Sequence, residues 1–170
     1  MYYEMTVPVF KKALMNLDAL LTKAEAFVAS GAITEEALLD ARLAPDMFPL
    51  IKQVTIASDN AKGASARLAG VEIPVMEDTE ISLAELHERI AKTIAFLDTL
   101  TPEQFEGAAQ REVRLKYYPG KHFTGATYLA QYAIPNFFFH ITTAYGILRM
   151  KGLGNGKSDF LGSLDLKDDQ

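Results

Sequence analysis

Tyr3, Val7, Phe10, Leu14, Leu17, Leu21, Ala24 and Val28 recur at alternating spacings of four and three residues. That spacing draws one apolar stripe down a single long helix, and a stripe of that length demands a partner helix. The chain therefore begins as one member of a bundle. Lys11, Lys12, Asp18, Lys23 and Glu25 fall mainly off the stripe. Ser30-Gly31 supplies the stop, since glycine accepts the left-handed turn that closes a helix. Thr34-Glu35-Glu36 starts a short extra helix that ends before Pro45.

Three further long helices are expected. Asp46 reads as the N-cap of helix two, with Pro49 in the first turn. Leu50, Val54, Ala57, Ala61, Ala64 and Leu68 give its inward face, flanked by Gln53 and Asn60, while Asp59 points to the opposite side. Small residues crowd its second half, so a neighbour can approach closely. Ser82 and Glu85 form a capping box for helix three, with Ile81 and Leu86 as its hydrophobic staple. Leu83, Leu86, Ile90, Ile94, Leu97 and Leu100 pack from that helix. Thr101-Pro102-Glu103-Gln104 opens one short turn. Between Glu112 and Phe123, Val113, Leu115 and Tyr117 alternate with Arg114, Lys116 and Tyr118, and Pro119-Gly120 suits a type II turn. A small hairpin is expected there, or an extended loop, since type II turns are not the favoured hairpin connection.

Helix four, from about Gly125, is the apolar stretch Tyr128–Gly152 with one proline in it. Pro135 cannot donate to the Gln131 carbonyl, so the helix is expected to bend or break at 131–135. Beyond it Phe137, Ile141, Ala144, Tyr145 and Leu148 face the core, and Asn136 and His140 share the flank. A tail with Phe160, Leu161, Leu164 and Leu166 is expected to pack back before a charged end. The expected fold is all-α: a four-helix bundle with a short extra helix and a small β-hairpin between helices three and four. It spans 1–170 as one domain.

Composition removes whole classes of function. With 49% hydrophobic and 23% charged residues and a net charge of −5, the chain reads as globular and shows no basic nucleic-acid or lipid footprint. The absence of cysteine excludes disulfides, zinc–thiolate sites and cysteine nucleophiles. No apolar run reaches the roughly 20 residues of a membrane span, and the start lacks a signal-peptide pattern, so a cytoplasmic protein is expected.

Motifs remove more. His87-Glu88 begins a zinc-protease helix signature, but Ala91 stands where the second histidine belongs. No histidine follows a glutamate at the spacing of di-iron bundles. His122 sits in the hairpin and is expected to face solvent. Gly152 to Ser158 lacks the first glycine of a phosphate loop, because position 151 is Lys151, and a helix precedes it rather than a strand. No nucleophile elbow exists. What remains is Asn136 and His140 on helix four facing Gln53 or Asn60 on helix two. Buried polar groups must pair or cost stability, so this is either a structural network or the lining of a site.

The phrases Met47-Phe48-Pro49-Leu50, Ala61-Lys62-Gly63-Ala64, Tyr128-Leu129, Pro135-Asn136-Phe137-Phe138-Phe139-His140 through Leu148-Arg149, and Asp159-Phe160-Leu161-Gly162 resemble the DinB/YfiT-like superfamily of four-helix bundles. Within it the chain looks most like a bacterial domain-of-unknown-function family. The resemblance implies a homodimer and, where a metal such as zinc or nickel is present, ligands from one helix-two histidine and a histidine pair on helix four. In this chain the pair falls on Asn136 and His140, and the helix-two position on Gln53, with Asp59 or Asn60 as alternatives. Neutral amides are poor ligands for such metals, so no cofactor is expected; if a metal is bound, His140 holds it. Three functions follow: a small-molecule pocket of Gln53, Asn136, His140, Tyr128 and Tyr132, a metal- or histidine-dependent hydrolase or transferase, or a structural homodimer.

Overall fold

A computed structural model of the chain describes residues 1–167. Helix α1 runs Val7–Ala29 and buries Val7, Phe10, Leu14, Leu17, Leu20, Leu21 and Ala24. The stripe's first member, Tyr3, lies in turns ahead of the helix, yet its ring meets that of Phe105 edge-on at 5.5 Å. Gly31, at φ +79°, turns the chain after α1. Helix α2 (Glu35–Leu39) is capped by Thr34, whose hydroxyl accepts the Ala37 N–H at 3.2 Å.

Helix α3 (Leu50–Ala69) is helix two of the sequence reading. Its N-cap is Pro49, not Asp46. Residues 41–49 instead fold into turns, with the Met47 N–H on the Ala44 carbonyl and the Leu50 N–H on that of Ala41, so the helix starts later than the carboxylate suggests. Helix α4 (Leu83–Leu97) begins at Ser82, whose side chain accepts the Glu85 N–H. Glu85 reaches back one residue further than a capping box requires, to the Ile81 N–H at 2.6 Å. Ile81 is 79% exposed, so the expected staple with Leu86 does not form.

The Thr101–Gln104 box forms, with the Thr101 N–H donating to Gln104 Oε1 at 2.9 Å, and opens a single turn at Pro102–Phe105. The hairpin is smaller than the alternating pattern suggests. Strands β1 (Glu112–Val113) and β2 (Phe123–Thr124) pair antiparallel, Glu112 with Thr124 and Val113 with Phe123. The Lys121 N–H donates to the Tyr118 carbonyl at 3.1 Å and Gly120 sits at φ +73°, the geometry of a type II turn. Such a turn twists against the strands, so the ladder does not extend up to it. Leu115 is buried, whereas Tyr117 and Tyr118 project from the loop.

From Gly125 to Met150 the chain is helical throughout, but not uniformly. Helix α5 (Gly125–Tyr128) passes into a π-turn at Leu129–Ala133 and then into α6 (Ile134–Met150). The Ile134 N–H donates to the Leu129 carbonyl, five residues back. That widened turn accommodates the proline ring and absorbs the hydrogen bond Pro135 cannot make. The expected break therefore takes the form of a π-turn.

The long helices α1, α3, α4 and α6 enclose one core, in which Phe10 and Phe137 meet at 4.6 Å. Removing a side chain such as Leu14, fully buried in it, costs about 2–5 kcal/mol. Helix α7 (Lys157–Leu161) docks on α1, where Asn16 donates to the Phe160 carbonyl at 2.9 Å and Lys23 pairs with Asp159 at 2.6 Å. Of the expected tail contacts only Phe160 packs; Leu161, Leu164 and Leu166 are exposed, and the charged end from 168 lies outside the described residues. Among the described residues no helix is long and apolar enough to cross a membrane.

Candidate functional site

Helix α6 packs most extensively against α3, and this seam gathers the polar residues singled out in the sequence. They form two pairs rather than one cluster. His140 Nδ1 stands 2.7 Å from Gln53 Oε1, and Asn136 Nδ2 donates to Asn60 Oδ1 at 2.7 Å. Asp59 turns away to α4, where it meets Arg89. The helix-two candidates thus divide the work: Gln53 serves His140, Asn60 serves Asn136, and Asp59 serves neither.

The first pair is fully specified. Gln53 is 1% exposed, and its amide nitrogen donates to the Phe48 carbonyl at 2.9 Å. Its oxygen is therefore the atom facing the ring, and an oxygen can only accept. His140 must carry its proton on Nδ1, which leaves a lone pair on Nε2. Burial pushes its pKa below the ordinary histidine value, because a desolvated imidazolium is unfavourable. The ring is neutral at neutral pH.

The second pair borders a cleft of about 310 Å³. Asn60 and Arg67 come to it from α3, Tyr128 and Tyr132 from the segment around the π-turn, Asn136 from the first turn of α6, and Lys116 and Tyr117 from the loop after β1. Tyr128, 1% exposed, stacks on Tyr132 with centroids 5.8 Å apart and planes 18° apart. Burial pushes both phenols up, against the pull of Arg67, whose Nη1 lies 3.4 Å from the Tyr128 hydroxyl. Asp59 and Asp78 also line the cleft, but both are engaged by Arg89. Of the five residues expected to form the site, Tyr128, Tyr132 and Asn136 line the cleft, whereas His140 and Gln53 do not.

Arg67 and Lys116 were not legible as site residues. The only sequence trace of Arg67 is its place one turn after Gly63, in the small-residue half of α3. The other histidines are elsewhere: His87 Nδ1 lies 2.6 Å from Asp18 between α4 and α1, and His122 is on the surface near Glu112.

The donor set can be weighed against the metal that the superfamily resemblance implies. The Gln53 oxygen is held by the His140 ring, and the Asn136 and Asn60 amides are held by each other, so these groups do not converge on a common centre. Among the described residues no group of three His, Cys, Asp or Glu is placed to hold a metal ion. The residues present do not fit a transition-metal triad.

Comparison with known proteins agrees with the fold. A search of curated proteins finds no match. A solved structure of a DinB family member from Shewanella denitrificans matches with a TM-score of 0.94 and 44% identity, over 98% of this chain and 95% of that one. The family model for a domain of unknown function, DUF1993, matches residues 2–161. At that coverage, the all-α bundle described above belongs to the DUF1993 family of DinB-like proteins.

Proposed function

We propose that this protein binds a small molecule in the cleft between α3 and α6, under the loop that follows β1. The observation that carries the reading is the cleft's lining: polar and aromatic side chains from three separate parts of the chain converge on one concavity at a π-turn, a feature common at functional sites. In this reading the His140–Gln53 pair is a buried strut that fixes α6 against α3, one helical turn from Asn136. No metal takes part. A homodimer belongs to the same proposal, and light scattering on the purified chain checks it.

Native mass spectrometry of the purified protein, beside an Asn136→Phe variant that fills the cleft, tests the reading. The wild type is expected to retain added mass from co-purifying or fragment-library compounds that the variant releases. Equal retention by both would place binding elsewhere.

A second reading, a hydrolase or transferase using His140 as general base, is favoured by one observation. The neutral ring keeps its Nε2 lone pair, since Nδ1 is committed to Gln53. A panel of ester and acyl-transfer substrates decides it: turnover lost in His140→Gln would support the base, and its persistence would remove it.

A further inference from the structure

We propose that the ligand of this cleft is a small oxyanion, a carboxylate or phosphate anchored by Arg67 with its body beside Tyr132; the proposal rests on the cleft being the binding site.

Charge around the cleft singles out the ligand's chemistry. Near the cleft, Asp59 pairs with Arg89 and Lys62, both at 2.9 Å, and Asp78 pairs with Arg89 at 3.0 Å and Lys52 at 3.1 Å. Glu80 takes the remaining arm of Arg89 at 2.7 Å. Those three carboxylates and three cations neutralise one another. Arg67 and Lys116 stand outside that balance: neither has a carboxylate within ion-pair distance among the described residues, and both line the cleft. Arg67 is half-buried, and among the described residues its guanidinium has only a long contact to the Tyr128 hydroxyl. A guanidinium taken partly out of water with no counter-charge is unfavourable, and its planar fork of donors matches an oxyanion in two parallel hydrogen bonds. Asn136, whose amide donates one hydrogen to Asn60, keeps a second hydrogen and its carbonyl for the rest of the ligand.

The sequence also makes room for this guanidinium. A methyl group at Gly63 would stand 2.5 Å from Arg67 Nη1. Glycine within a helix is otherwise unfavourable relative to alanine. At this position it lets the side chain fold down over α3.

Calorimetric titration of the full chain with benzoate, inorganic phosphate and neutral benzamide tests the proposal. Benzoate or phosphate is expected to bind with a Kd of about 1 mM, as suits fragment-sized ligands, and benzamide far more weakly. Arg67→Gln is expected to weaken anion binding by about tenfold or more, since a charge-assisted pair is lost. Gly63→Ala keeps the charge and raises helix propensity, so its Tm is expected not to fall while anion affinity does; it separates lost anchoring from lost folding. Tighter binding of phosphate than of benzoate would identify a phosphorylated ligand, and the reverse a carboxylate. Benzamide binding as tightly as benzoate, or unchanged anion affinity in both variants, would overturn the oxyanion assignment and leave the cleft reading standing. Failure of both anions in the wild type overturns it too, and if benzamide also fails, the cleft reading falls with it.

Discussion

His140 and Gln53, 87 residues apart in the chain, meet at 2.7 Å inside the α3–α6 seam, and the Phe48 carbonyl decides which way round they meet. By binding the glutamine nitrogen it turns the glutamine oxygen to the ring, and the oxygen fixes the proton on Nδ1. One backbone carbonyl therefore sets the tautomer of a buried histidine on another helix. Long-range ¹H–¹⁵N correlation on labelled protein is expected to show His140 protonated at Nδ1 and bare at Nε2. The opposite tautomer would mean the glutamine amide is turned over.

His140→Phe fills the ring's space and leaves Gln53 Oε1 buried without a donor. We expect a loss of about 1–3 kcal/mol in chemical denaturation, the usual cost of stranding a buried polar group. His140→Phe with Gln53→Leu removes both partners and is expected to recover part of that loss. A single variant as stable as wild type would show that the pair is not a buried strut.

The same ring makes stability depend on pH. Its folded pKa lies below its unfolded value of about 6.5. Between the two the unfolded state binds the extra proton, so stability rises with pH there. This contribution is complete above the unfolded value and is lost as pH falls toward the folded one. Wild type minus His140→Phe stability is therefore expected to shrink as pH falls below about 6.5. A difference independent of pH would contradict burial of the neutral ring.

The helices and their order were readable because apolar periodicity and capping are local signals. The stripe of α1, the Ser82 cap of α4 and the Thr101–Gln104 box each need only neighbours in sequence. The proline's effect was readable in place but not in kind, since a π-turn depends on what else packs against the helix. Asp46 misled because a good cap residue does not start a helix when the residues after it, Met47 and Leu50, are tied back to Ala44 and Ala41. Ile81 misled because a staple needs the chain to enter along the helix face, and here the residue points to solvent. The site was half legible: periodicity put Gln53, Asn60, Asn136 and His140 on facing flanks. The pairing between them, and the arrival of Arg67 and Lys116 at the cleft, depend on helix offset and loop path, which no local pattern encodes.

Gly125, buried where α5 begins, touches the backbone of Ala108; a methyl group there would overlap the Ala108 carbonyl. Backbone cannot swing aside as a side chain can. Gly125→Ala is expected to destabilise by about 1–3 kcal/mol, as overpacking does, and to loosen the β1–β2 connection. Thermal unfolding measures the first effect and amide exchange at Val113 the second. A neutral variant would place this helix start further from the loop.

Arg89 is 2% exposed and holds Asp59, Asp78 and Glu80 together. Arg89→Leu leaves those carboxylates without their shared cation. We expect a loss of about 2–3 kcal/mol, less than a fully buried pair would give because Asp59 and Asp78 are partly solvated. Urea denaturation checks it, and a loss below about 0.5 kcal/mol, the scale of a surface substitution, would show that the network is a surface feature.

The most direct test of the cleft as the binding site is a ¹H–¹⁵N correlation titration of the full chain with a fragment library. Binding compounds are expected to shift amides at Asn60, Arg67, Lys116, Tyr132 and Asn136 together, and Asn136→Phe is expected to abolish those shifts. Shifts confined to another part of the surface, such as the groove at Pro8, Met15 and Leu164 between α1 and the tail, would contradict it.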